Sequence, residues 1–382
     1  MEVTILTYGD SNDINLWSNL PYFIAKACEE NVGKTNRFDV YYPQRKIKFL
    51  FDKTIRRIVK VFKRKTTYCY ERSIIHHIVC MRLMKRAVKN YPNTDLFICL
   101  SFSWNTSRYS TKPCINLCDW TYEFLIKQDI KKTVDWFEHH EIERQKRVLE
   151  SSTLCDVWRI ECKNLIRQSM PCVNLTVEHS KAVNCLYDIS SLQADYIENK
   201  YTSNVYVFIG AQRYIEGARV FCEVMNDFNN KGYDFKAYLI GINESALNKE
   251  RKLHKNIKCV GYLDKGDMEN CNVYYELIKS SKVVINTNSD FVSLAGIIES
   301  QYLYTPAIIS KNYQTISEYG EKLCSGWYCN NTVKELHDMI MYVNSIDYDE
   351  YKNTCQYAHN IYHNATYDKY VQSIIKQCYL IK

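Results

Sequence analysis

Glycine and proline are scarce in this chain, 11 and 6 of 382 residues. With 46% hydrophobic and 24% charged residues the composition is globular, and no low-complexity tract or internal repeat appears. Long apolar runs are missing as well; none approaches the roughly 20 residues that a bilayer-crossing helix needs. There is no CxxC pair and no Cys/His cluster at zinc spacing, so metal and thiol-redox chemistry are not expected. A GxGxxG turn is absent too, which disfavours a dinucleotide site. The first residues, MEVTILTYGD, read as a strand ending in a turn rather than a charged segment leading into an apolar one. A reducing cytoplasm is therefore the expected location.

Cysteine, by contrast, is abundant: there are 17, many inside apolar runs (LFICL, CINLC, NIKCV) where a thiol acts as a small hydrophobe. The length exceeds what one hydrophobic core usually organises, so two domains are expected. The net charge of +7 is unevenly placed. Between Arg45 and Lys65 stand Lys46, Lys48, Lys53, Arg56, Arg57, Lys60, Lys63 and Arg64 against the single acid Asp52. Phe51, Ile55, Ile58, Val59 and Phe62 recur there at helical spacing, which predicts a basic amphipathic helix over 45–65. Such a helix suits an anionic membrane surface, and equally a surface helix with a solvated basic face. Nucleic acid is not expected, since no recognised binding motif accompanies the run.

Strand-like and helix-like segments alternate through the first half. VTILTYG (3–9), RFDVYYP (37–43), DLFICLS (95–101), CINLCD (114–119) and LCDVWRI read as strands. LPYFIAKACEEN (20–31), ERSIIHHIVCMRLMKRAVKNY and DWFEHHEIERQKRVLESS read as helices between them. A second series follows the loop-like stretch DISSLQADYIENKYTSN. Its strands are NVYVFIG (204–210), FKAYLIG (235–241), NIKCVGYL (256–263), SKVVINT (281–287) and AIISKN (307–312). The pattern predicts an α/β protein of two Rossmann-like doubly wound domains, 1–190 and 200–365, facing across a cleft. The helical segment 366–382 is placed back against the first domain.

In such folds ligands bind beyond the carboxyl ends of the strands. The loop after the first strand, TYGDSNDINLWSNLPY, offers Asp13, Trp17, Ser18 and Asn19, either to cap the next helix or to meet a ligand. Asp119 ends its strand, as an N-cap or as a carboxylate in the cleft. In the second half FIGAQRYIEGARVF sets Gly210 at a turn with Arg213 nearby and Arg219 further on, a place for a diphosphate or a plain surface arginine. Glu299 is a carboxylate on the apolar helix of NTNSDFVSLAGIIESQYLYTP (286–306). His139, His140 and His179 lack partners in sequence and read as structural.

The ordered set of segments resembles bacterial glycosyltransferases of family 4. ILTYGDSNDINLWSNLPYFIAKACEE is similar to their opening strand, loop and helix, INLCDWTYEFL to a later Asp-x-Thr-aromatic segment, VFIGAQRYIEGARVF to their donor-domain opening, and VVINTNSDFVSLAGIIESQYLYTPAIIS to their paired-Glu region. The resemblance spans nearly the whole chain. It implies a GT-B fold, a nucleotide-sugar held by the C-terminal domain and an acceptor by the N-terminal one, which the basic helix over 45–65 would hold near an anionic membrane. It also implies transfer with retention and no metal or other cofactor. Glu299 matches the second glutamate, the ribose ligand. Phe291 stands where the first should be, with Asp290 the nearest carboxylate, so Asp119 and Asp290 are the catalytic candidates. Ile215 and Glu216 replace the usual Arg-Lys pair and leave Arg213 to meet the diphosphate beside Gly210. Asp13, Trp17, Ser18 and Asn19 fall to the acceptor, a cell-surface polysaccharide or lipid-linked glycan. The departures suit a second reading, a non-catalytic GT-B subunit that binds a glycan or partner. A sugar-nucleotide epimerase of the same fold is a third.

Overall fold

The computed structural model describes residues 1–63, 68–130, 136–177, 182–193, 195–247, 253–291 and 294–381. They form two compact units, Met1–Lys181 with Tyr367–Lys382, and Ala182–Thr366.

The first unit opens with β1 (Glu2–Thr7), α1 (Leu20–Asn31) and β2 (Lys34–Asp39), followed by α2 (Arg45–Lys53), α3 (Ile55–Phe62) and α4 (Ile74–Asn90). Strands β3 (Leu96–Cys99) and β4 (Cys114–Cys118), a single turn α5 (Tyr122–Phe124), α6 (Trp136–Ser151), β5 (Leu154–Val157) and α7 (Ile160–Ser169) complete it. The parallel sheet runs β2-β1-β3-β4-β5. Every residue of β3 and β5 is buried, because helices cover both faces and no polar face is needed. The second strand begins three residues earlier than the apolar pattern indicated, at Lys34. As an edge strand, with no residue fully buried, KTNRFD carries no apolar signal.

The basic segment is not one helix. It breaks at Thr54 (φ −114°, ψ −77°), whose hydroxyl donates to the carbonyl of Leu50 at 2.7 Å. A threonine bonding back in this way bends a helix, and here it separates α2 from α3. Residues 64 and 65 of the predicted helix lie outside the described residues.

The second unit contains α8 (Tyr196–Tyr201), β6 (Val205–Ile209), α9 (Ile215–Asn230), β7 (Lys236–Ile240), β8 (Ile257–Gly261), α10 (Met268–Ser280), β9 (Val283–Asn286) and α11 (Ala295–Tyr302). Then come β10 (Ala307–Ile309), α12 (Tyr313–Tyr319), β11 (Gly326–Tyr328), α13 (Val333–Ser345) and α14 (Tyr348–Tyr362). Its parallel sheet runs β11-β10-β9-β6-β7-β8. Counted from β6 this is the 3-2-1-4-5-6 order of doubly wound nucleotide-binding folds, and its strand order reverses between β6 and β9. The core gathers Phe208, Phe221, Met225, Ile285, Ile297 and Ile308 from both faces of that sheet.

The last helix, α15 (Tyr367–Leu380), belongs to the first unit. Tyr370 donates to Asp156 Oδ2 at 2.7 Å and accepts from the Trp158 indole at 3.0 Å. The other oxygen of Asp156 meets the buried Lys163 ammonium at 3.1 Å and the Thr176 hydroxyl. Tyr367 stacks on Phe23 of α1 with ring centroids 5.3 Å apart.

Candidate functional site

The reversal of strand order in the second unit leaves space beyond the ends of β6 and β9. Three glycines shape it. A Cβ on Gly210 would meet the Asn286 amide at 2.7 Å, and one on Gly296 would meet Ile209 at 2.7 Å. One on Gly217 would come within 3.1 Å of Asn288. The ends of β6 and β9 and the starts of α9 and α11 thus approach too closely for side chains, and Asn286 ties the two strands by donating to the Ile209 carbonyl at 2.8 Å.

Arg213 is exposed beside this turn, its guanidinium 4.6 Å from the Tyr214 ring. The Tyr214 ring in turn packs edge-on to Phe291 at 5.1 Å. Phe291 is 2% exposed, so the residue standing where the resemblance would put a first glutamate is a core plug. Asp290, next to it, is exposed, its amide donating to Asn288 Oδ1 at 3.0 Å. Glu216, in the place of a cation, forms an ion pair with Arg219 on the same helix.

Glu299 is 2% exposed, so it does not lie at the surface. One oxygen accepts from Tyr275 at 2.5 Å; the other accepts from Tyr274 at 2.8 Å and the Lys265 ammonium at 2.5 Å. Burial and the adjacent carboxylate push both phenols well above their ordinary range. Lys265 also lies over the Tyr274 ring, 4.2 Å from its centroid. A carboxylate in an apolar helix requires such donors, but its sequence does not say which residues supply them. Among the described residues no hydrogen bond or ion pair joins Glu299 to Arg213 or Asp290. A groove of about 660 Å³ between α9 and residues 253–255 opens instead at the opposite, N-terminal edge of the sheet.

In the first unit the loop after β1 contains three consecutive left-handed residues, Trp17 (φ 43°), Ser18 (φ 55°) and Asn19 (φ 70°). None is glycine, and each costs about 1–2 kcal/mol relative to right-handed backbone. The twist delivers the Trp17 indole N–H to Asp119 Oδ2 at 3.3 Å and sets the ring at a tilt against Trp158, with centroids 5.5 Å apart. Asp119 is not an N-cap; Thr121 caps α5 through Phe124 N at 3.3 Å. Arg159 lies 4.0 Å over the Trp120 ring. The carboxyl ends of β1, β4 and β5 therefore share one aromatic, mixed-charge cluster. Asn19 stands at the N-cap of α1 without a side-chain cap bond, so the capping alternative fails there. Asp13 is exposed and holds the amide of Asn15 at 2.9 Å in a local turn.

Two carboxylates escaped the sequence pattern. Glu138 and Glu141 lie on the charged helix α6 yet are 1% and 3% exposed. Glu141 accepts from Ser103, just beyond β3, at 3.0 Å and from Arg144 at 2.8 and 3.0 Å; burial raises its pKa. Tyr122 donates to Glu138 at 3.3 Å. Their neighbours His139 and His140 are exposed on the same helix, and His179 lies outside the described residues. Among the described residues no group of three His, Cys, Asp or Glu side chains could hold a metal ion.

No family model matches the sequence, and no curated protein matches it. Solved structures do. A glycosyltransferase from Rickettsia africae ESF-5 superposes with a TM-score of 0.65 at 14% identity, covering 100% of this chain and 98% of that one. Sucrose-phosphate synthase from Thermosynechococcus elongatus gives 0.62 at 10%, again over 100% and 98%. HepE of Anabaena, solved with UDP-glucose, gives 0.59 at 10% over 98% and 99%. These are GT-B proteins, and with two doubly wound parallel sheets matched over nearly its full length, the chain has the GT-B fold.

Proposed function

We propose that the protein is a glycosyltransferase that moves a sugar from a nucleotide-sugar donor to a cell-surface polysaccharide or lipid-linked glycan. The observation that carries this reading is the glycine-lined reversal point between β6 and β9. Gly210, Gly217 and Gly296 keep side chains out of it, and the exposed guanidinium of Arg213 stands beside it. Backbone N–H groups and one cation suit a diphosphate, whose charge grows as the glycosidic bond to the anomeric carbon breaks. No metal is required, and the configuration is retained. The ion pair to Arg219 reduces the repulsion that Glu216 exerts on such an anion.

Glu299 takes the ribose. A carboxylate has about four acceptor sites, and three are engaged by Lys265, Tyr274 and Tyr275, which leaves room for one ribose hydroxyl in a fixed direction. Asp290 serves the donor sugar. In the first unit Asp119 orients the acceptor hydroxyl, and Asp13, Trp17, Ser18 and Asn19 hold the acceptor, with Trp17 as a stacking surface.

A thermal-shift screen with UDP-, GDP-, ADP- and dTDP-sugars tests this, followed by donor hydrolysis. One donor class should stabilise the protein, and Arg213→Ala, at an exposed position, should lose roughly tenfold or more in donor affinity without lowering the melting temperature. No stabilisation by any donor would remove the donor-site assignment. The buried Phe291 and solvent-facing Asp290 favour one second reading, a GT-B subunit that binds a glycan or partner without turnover. Donor or glycan binding with no hydrolysis or transfer would establish it.

A further inference from the structure

We infer that α2 and α3 form an in-plane docking surface for an anionic lipid bilayer. Helix α3 has no buried residue at all. Ile55, Ile58, Val59 and Phe62 share one face of it, and Ile58 and Phe62 are 59% and 86% exposed. Helix α2 adds Phe49 and Leu50, 69% and 62% exposed, and is held down by Phe51, which packs between Tyr68 and Tyr70. Apolar surface of this size on a short helix costs solubility unless something covers it.

Charge decides what covers it. Arg57 and Lys60 occupy the opposite side of α3, and Lys46 and Lys53 are exposed on α2. The one acid in both helices, Asp52, is already engaged by Lys48 at 3.5 Å and Arg56 at 3.9 Å. Long basic stems reach up to anionic headgroups while isoleucine and phenylalanine enter the acyl boundary. An eight-residue helix is far too short to span, so it lies flat. The Tyr68 ring, 4.8 Å from Phe137, carries the surface on to Trp136 at the start of α6, which is 67% exposed and of the type that settles at headgroup level. The surface is fixed to the sheet. Lys48 of α2 pairs with Glu71, which accepts from Tyr8 beyond the end of β1 at 3.4 Å.

This inference rests on the helices alone and is read without any sugar donor. The full chain is sedimented with vesicles of phosphatidylcholine, with and without phosphatidylglycerol. Sedimentation with the anionic vesicles only is expected, weakening as salt is raised. Ile58→Asp with Phe62→Asp, and separately Arg57→Glu with Lys60→Glu, should each reduce it at least about tenfold. Melting temperatures should stay unchanged, since α3 buries nothing. Equal sedimentation with neutral vesicles, undiminished binding by either pair of variants, or a dimer in light scattering that Phe62→Asp dissolves would overturn the inference, the last in favour of a second copy of this chain.

Discussion

The two units place a carboxylate beyond the ends of their parallel strands, and they treat it in opposite ways. In the second unit Glu299 is buried and held by three donors, in a region where glycines let the elements close on each other. In the first, Asp119 is half-buried, reached by an indole from a loop with three left-handed residues. One end is rigid through satisfied burial; the other holds backbone strain at its surface. Preorganised polar groups favour a ligand of fixed shape, whereas a strained loop is a place where ligand binding can trade against conformation. That contrast is the one the proposed roles ask for, with the donor in the second unit and the acceptor in the first.

The buried end should be the more costly to disturb. Glu299→Ala leaves a half-buried ammonium and two buried phenols without their acceptor, and should cost about 3–5 kcal/mol. Glu299→Gln should cost less, because the amide oxygen still accepts. Chemical denaturation of both variants measures this. An alanine variant as stable as wild type would mean the cluster opens to solvent, and the contrast between the units would collapse.

Lys200 extends the test within the second unit. It is 1% exposed and donates to the carbonyls of Ile278 and Ser281 and to Thr305 Oγ1 at 2.9, 3.3 and 2.6 Å. Burial pushes its pKa from 10.5 down to about 7. Between those values the unfolded chain binds a proton that the folded chain does not, so this group makes stability rise with pH. Below about 7 both states are protonated and its contribution is flat. Melting curves of wild type and Lys200→Met should therefore diverge in favour of wild type as pH rises through that window. Parallel curves would show that Lys200 stays charged when folded.

The first unit has a buried network of its own, which meets the strained loop through the Trp158 ring. Tyr370→Phe removes the donor to Asp156 and the acceptor for the Trp158 indole, and should cost about 1–3 kcal/mol. Because Tyr370 lies on α15, the loss should appear as melting of the whole first unit rather than fraying of its last helix. Amide exchange that rises in α15 alone would contradict this.

The fold was legible because its signal is redundant. Short apolar runs alternate with amphipathic segments along the chain, and both sheets follow from that alternation except for the three-residue edge strand β11, which the sequence reading missed. Errors arose where tertiary structure outweighed pattern. Thr54 broke a helix through one side-chain hydrogen bond, and β2 had no apolar signal because it lies at an edge. Trp17 and Asp119 were found separately, at strand ends 102 residues apart, and the indole bond joins them. Lys265, Tyr274 and Tyr275 were missed because nothing local marks them. They matter only through Glu299, and a charged helix such as α6 hides buried Glu138 and Glu141 for the same reason: composition reports the average face, not the one carboxylate turned inward.

The smallest expected effect is also the most direct probe of the strained loop. Ser18 is exposed at φ 55°, where glycine rests without penalty. Ser18→Gly should stabilise the protein by up to about 1 kcal/mol, less what glycine gains in unfolded-state freedom. If the strain serves acceptor binding, the variant should melt higher yet bind acceptor more weakly, with donor affinity unchanged. A gain in stability with acceptor affinity untouched would make the left-handed turn only a way to enter α1. A loss of stability would mean that the Ser18 side chain holds the turn, and the strain would then be offset locally rather than by the Trp17–Asp119 contact.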